Sequence, residues 1–178
     1  GTNFGTTALF HTFSTTATSA ALNLRNNILV NNSAPNGTGL TVAFRRSAAT
    51  NLNNYATTSN NNLFWAGNTG LTCTNRVIYS DGTSNLQLVA FKALVTPRET
   101  ASVQEDPSFL STSGATANFL HINPAIQTQI ESGAAFIATV TDDFDGNVRS
   151  VTTPDIGADA HLSSRNGAAV HPNAACRR

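Results

Sequence analysis

Residues 24–32, LRNNILVNN, and residues 59–68, SNNNLFWAGN, decide how this chain is to be read. In each, a short apolar run (Ile28-Leu29-Val30, Leu63-Phe64-Trp65) is bordered by asparagines. Short apolar runs bounded by Asn, Gly, Ser and Thr mark strands rather than helices. The strands of a β-sandwich alternate polar with apolar residues and are joined by tight hairpin turns. Here the asparagines cluster at the ends of apolar strands, and the connections are long and irregular. That pattern suits a parallel β-helix, in which each coil stacks on the last. An Asn at a coil corner can adopt the left-handed conformation while its amide hydrogen-bonds the stacked neighbour. The expected fold class is all-β, a parallel β-helix with a C-terminal capping segment; a Greek-key β-sandwich is the alternative.

Outward from these two stretches the same texture continues. Further apolar runs are Ala8–Phe10, Leu22–Val30, Leu40–Phe44, Val77–Tyr79, Leu86–Phe91 and Phe136–Val140. Turn clusters such as 31–37, NNSAPNG, separate them. One helix fits residues 85–95, NLQLVAFKALV, with Pro97 to stop it. From about Ser102 the chain becomes loop-like, with Pro107, Gly114 and Pro124. The organisation expected is coils over 1–101, a closing segment of the same domain over 102–159 and an atypical tail over 160–178. The closing segment should cover the last coil, because an uncovered end is an open sheet edge. An uncapped first coil would leave the other end able to pair edge to edge with a second copy.

Composition narrows the class. The chain has 178 residues, enough for one domain with a real core. Charged residues make up only 11%, and the formal net charge is +0. Polarity comes instead from Thr, Asn and Ser, about a third of the chain. No basic excess exists to neutralise phosphates, so nucleic-acid binding by charge is not expected. No apolar run approaches the roughly 20 residues that span a bilayer. With 40% hydrophobic residues and 10 Phe, the chain is not composed like a disordered one. Low charge with abundant Thr, Asn and Ser suits an extracellular or cell-surface β protein, whose export signal would lie outside this chain. Cys73 and Cys176 are too few for a disulfide framework; they are read as two free thiols, with a single bridge tying the tail to the body as the alternative.

In the closing segment, DDFDGNVR (142–149) followed by TPDIGAD (153–159) resembles the closing motif of bacterial secreted right-handed parallel β-helix repeat proteins, many of them cell-surface polypeptides of the Bacteroidetes type. NNNLFWAG, RVIYSDGTSN, DPSFLST and NFLHINPAIQTQIESG are similar to the final coils of that group. The resemblance runs from about Leu22 to Asp159 and implies a right-handed β-helix. Where the group continues with Glu or Tyr and an aromatic residue, this chain has Ala160 and His161, then LSSRNGAAVHPNAACRR. A reading-frame change, or vector-derived residues in a cloned environmental gene fragment, would explain that tail.

Among groups that carry chemistry, Asp142, Asp143 and Asp145 stand out. Asp143-x-Asp145-Gly146 has the spacing of a calcium loop, in which alternating carboxylates converge and glycine permits the sharp turn. The distal Glu of an EF-hand is lacking, but Asp155 and Asp159 would add oxygens if the chain folds back. On this reading the cofactor is Ca2+; the alternative is that these residues cap turns and pair with Arg149. Polysaccharide lyases on this fold use Lys or Arg as base, which makes Lys92, the only lysine, with Arg76 and Arg98, the weak catalytic candidates. Residues 20–95 contain one acid, Asp81, too few for a hydrolase built on clustered aspartates. His11, His121, His161 and His171 show no zinc-motif spacing, and His121 reads as a packed or surface residue of a strand. Phe64, Trp65 and Tyr79 are the candidate ligand-binding rings. Neighbours on a strand face opposite ways, so one of Phe64 and Trp65 should face outward as a carbohydrate platform unless a loop covers it.

The expected function is a non-catalytic extracellular module of a cell-surface protein, with structural display and binding of a polysaccharide or surface glycan. The alternative is a lyase or glycoside hydrolase acting in a groove along the β-helix.

Overall fold

A computed structural model describes residues 2–48, 51–67 and 74–160. Expectations for Cys73, Cys176, His161, His171 and the tail beyond Ala160 fall outside the described residues. Among the described residues the regular elements are strands, apart from one short helix. In order it runs β1 (Thr6–His11), β2 (Ile28–Val30), β3 (Thr41–Arg46), β4 (Leu63–Trp65), β5 (Arg76–Ser80), β6 (Asn85–Leu86) and α1 (Leu88–Val95). One sheet has the order β1-β3-β5-β6, the other pairs β2 with β4, and neither closes on itself.

The pairings are parallel except for β5 with β6. Thr6, Thr41 and Arg76 stand side by side, and Phe44 sits between Leu9 and Tyr79. Ile28, Leu29 and Val30 face Leu63, Phe64 and Trp65. Each partner lies 35 residues further along the chain, as His11 with Arg46 and Asn27 with Asn62 also do. Isolated parallel bridges such as Leu22 with Tyr55 and Leu63 with Val103 depart from that spacing.

Side-chain alternation along β2 and β4 feeds two cores. Leu29 and Phe64 join Phe44, Tyr55, Tyr79, Phe91 and Val95 in the first. Phe44 is its centre, with ring centroids 5.4 Å from Tyr55, 5.9 Å from both Tyr79 and Phe91, and 6.4 Å from Phe64. Leu63 and Trp65 point the other way and meet Ile122, Ile130 and Ile156 of the closing segment. A run of three buried apolar residues is what a strand covered on both faces requires.

That packing revises several sequence expectations. The closing segment lies against the outer face of β2 and β4, and Val103 near its start bridges to Leu63 at the edge of β4. Residues 136–140 form no strand; with no strand edge beside them, Phe136 and Val140 stay 47% and 46% exposed. The stretch around His121 makes only isolated bridges, Phe109 with Ile122 and Ser111 with Phe119. The helix is shorter than expected at its start, because Asn85 and Leu86 pair with Ser80 and Tyr79. It buries Phe91 and Val95, four residues apart on one face.

The asparagines behave in part as anticipated. Asn26, Asn61 and Asn75 have φ of 58°, 57° and 61°. Asn27 Nδ2 donates to Asn62 Oδ1 across adjacent strands at 3.3 Å. The left-handed pair Asn26 and Asn61 instead grips the closing segment. Asn26 donates to the Ala135 carbonyl at 2.7 Å and accepts its N–H at 3.0 Å, and Asn61 donates to the Gly133 carbonyl at 2.9 Å. Gly157 completes the contact by donating to the Asn26 carbonyl. Its φ is +101°, and a Cβ there would collide with Ile28.

Candidate functional site

The expected aspartate trio is not one site. Asp143 closes its own turn, accepting the N–H groups of Asp145 and Asn147 and the Asn147 side chain. It also accepts the Ala160 N–H at 3.1 Å. Burial alone would raise its carboxyl, but these donors, Asn147 foremost, outweigh it and hold the group below its ordinary value. Asp142 is in an isolated antiparallel bridge with Val148, and its carboxylate accepts the Thr141 hydroxyl. Of the three candidate calcium ligands, Asp143 is thus committed to the geometry of its own turn. Arg149 donates to the backbone carbonyl of Asp155, whose carboxylate accepts the Ser132 N–H at 2.7 Å.

Asp145 belongs to a different group. The turn projects its carboxylate to His121, with Oδ2 3.5 Å from Nε2. Asp159 approaches the same ring from the other side, with Oδ1 4.0 Å from Nδ1. Donor atoms from the three side chains lie within 4.8 Å of one another, and among the described residues no other group of three His, Cys, Asp or Glu does so. The side chains of His121, Asp145 and Asp159 are 24%, 39% and 18% exposed, so the cluster opens to solvent. An imidazole with two carboxylates can hold a divalent ion or form an ion-paired staple.

The three residues come from three separate stretches that backbone bonds stitch together. Phe144 donates to the Ala158 carbonyl at 2.8 Å, which lays the 142–148 turn against the end of the closing segment. Asp159 Oδ2 accepts the Ile122 N–H at 3.0 Å, which ties that end to the neighbour of His121. The sequence pointed to Asp145 through its turn, and to Asp159 on condition of a fold-back. His121 carried no local signal, because its partners are distant in the chain.

The cationic candidates are dispersed among structural tasks. Arg76 donates from Nη1 to the carbonyls of Ser33 and Ala66. Arg98 donates to the carbonyls of Tyr55, Leu52 and Val95. Both are 8% exposed. Lys92 Nζ donates to the Ser102 carbonyl at 2.9 Å; burial lowers its pKa and the charge of Glu99 partly restores it. The three are read as struts between chain segments rather than as a proton-abstracting set.

Sequence reasoning passed over the polar centre of the stack. Glu99 is fully buried at φ 58°, and its carboxylate accepts the Tyr55 hydroxyl, the Ser102 hydroxyl and the Asn62 amide, the last at 2.8 and 3.1 Å. Burial raises its pKa, while the Asn62, Ser102 and Tyr55 donors oppose the rise. Tyr79 is fully buried, and burial, then the Asp81 charge, pushes its hydroxyl up to about 12.

The proposed sugar-stacking rings are corrected by burial. Phe64 and Tyr79 are 0% exposed and Trp65 only 8%, because the aromatic core covers the first two and the closing-segment isoleucines cover the third. The most exposed ring among the described residues is Phe144, at 80%, followed by Phe10 and Phe4. No described helix is long and apolar enough to cross a membrane. Comparison with protein-family models, with curated proteins and with solved structures gave no match.

Proposed function

We propose that this chain is part of a right-handed parallel β-solenoid of a secreted bacterial surface protein, and that it works as a non-catalytic display module that binds glycans. The observation that carries the reading is the 35-residue spacing shared by both sheets. A constant spacing between parallel strands is what stacked coils produce, whereas a Greek-key sandwich pairs its strands antiparallel. Neutral polar side chains at the strand ends, and cations spent on backbone carbonyls, favour display over catalysis. Because Trp65 is covered, the rings best exposed to stack on a sugar among the described residues are Phe144, Phe10 and Phe4.

A glycan array probed with folded protein tests the binding half. The expected result is a saccharide signal that Phe144→Ala reduces; no signal above background would remove glycan binding and leave display. A uronate-polymer assay tests the other side. Turnover abolished by Lys92→Ala, with an unchanged circular dichroism spectrum, would replace this reading with a lyase.

A further inference from the structure

We propose that His121, Asp145 and Asp159 bind one divalent transition-metal ion of the zinc class, and that this ion clamps the closing segment shut. The inference is independent of glycan binding. Three features of the cluster carry it: its donor set, its spacing and the chain segments it joins.

One imidazole nitrogen and two carboxylate oxygens form a mixed N/O set, the type that zinc and its neighbours in the first transition row accept. Calcium takes six to eight oxygens and gains little from an imidazole. Bonds of about 2.0–2.2 Å from a tetrahedral ion place its ligand atoms roughly 3.5 Å apart. The donor atoms here lie within 4.8 Å; Asp145 Oδ2 is 3.5 Å from Nε2, while Asp159 Oδ1 is nearest Nδ1, at 4.0 Å, so coordination through Nε2 draws the Asp159 carboxylate inward. Closure therefore needs side-chain adjustment rather than a backbone rearrangement.

The surroundings leave the ligand atoms available. Asp159 spends Oδ2 on the Ile122 N–H and keeps Oδ1 toward the ring. Asp143, not Asp145, satisfies the N–H groups of the turn. The remaining coordination position faces solvent and would be filled by water. The ion would join His121, the 142–148 turn and the end of the closing segment, a region with no strand ladder of its own. Its effect would be to replace the mutual repulsion of two carboxylates with a shared attraction.

The test uses the full chain, stripped with chelator and then given zinc, calcium or cobalt alone. The wild type should retain one equivalent of zinc after dialysis, melt at a higher temperature with zinc than with chelator, and show cobalt absorption bands in the visible. Asp145→Asn is the gentle variant, since that side chain is 39% exposed and faces His121. It should weaken zinc binding by at least the roughly 10–100-fold typical of losing a supporting group, and remove the melting shift. His121→Ala should do the same and abolish the cobalt bands. No zinc retained by the wild type would overturn the proposal. So would equal zinc binding in the wild type and Asp145→Asn, which would place the ion at the remaining cysteines or histidines. Calcium preferred over zinc, and unaffected by His121→Ala, would also overturn it. If His121→Ala does not fold, Asp145→Asn decides alone.

Discussion

The strand stack up to Val103 and the closing segment after it solve the same problem by different means. In the stack, β1, β3 and β5 align in parallel at one constant spacing, and an aromatic cluster around Phe44 fills the space between the sheets. The closing segment has no strand ladder. Three isoleucines, Ile122, Ile130 and Ile156, peg it to the outer face of β2 and β4, and the amides of Asn26 and Asn61 hold its backbone. Redundancy protects the first region, because losing one contact leaves its neighbours in register. The second is held at scattered points by side chains and single backbone bonds rather than by a ladder.

The sharpest way to break this contrast is at the centre of the stack. Phe44→Ala removes a ring in contact with five others, and a loss of about 3–5 kcal/mol is expected in denaturant titration. The whole chain should unfold more easily, closing segment included. Ile156→Ala should cost about 2–4 kcal/mol and act locally. Hydrogen exchange should accelerate in the closing segment while the amides of β3 and β5 keep their protection. Equal acceleration in both regions would show that they open as one unit.

A finer test concerns Asn26, where two effects coincide. Asn26→Gly keeps the left-handed backbone but loses both amide bonds to Ala135, so about 1–2 kcal/mol should be lost. Asn26→Ala adds the cost of a Cβ at positive φ and should lose about 1 kcal/mol more. Thermal melts of the two variants separate the clamp from the backbone conformation.

The smallest effect is a pH dependence lodged in the stack. His11 is buried and accepts a hydrogen bond from Arg46 Nε at 3.1 Å. Burial lowers its pKa; the Ala20 carbonyl opposes this and the Arg46 charge adds to it. The folded state therefore takes up a proton less readily than the unfolded chain. Its stabilising contribution is complete above the ordinary value of about 6.5 and is lost as pH falls from there toward the lower folded value. Wild-type stability should decline more steeply as pH falls below about 6.5 than that of His11→Gln, as measured by denaturation midpoints. Parallel pH profiles would remove His11 as the source.

How much of this was legible follows the same division. Ile28–Val30 and Leu63–Trp65 were readable because β-branched and aromatic residues bounded by Asn have few other ways to be satisfied. The left-handed asparagines were readable for a similar local reason. The cover over Trp65 was not, since isoleucines far along the chain supply it and local pattern carries no distance information. His121 and Asp159 were obscure for the same reason, while Asp145 announced itself through its turn. The missing strand at 136–140 shows the converse error: an apolar run forms a strand only where an edge is there to receive it.

The constant spacing of 35 residues also bears on how such a chain can change in length. Gaining or losing one residue within a strand would turn its inward side chains outward. Gaining or losing 35 residues together would keep the strand register and the facing of each side chain. Tolerated lengths should therefore come in steps, so that gene duplication, rather than gradual insertion, is the easy route by which this architecture grows.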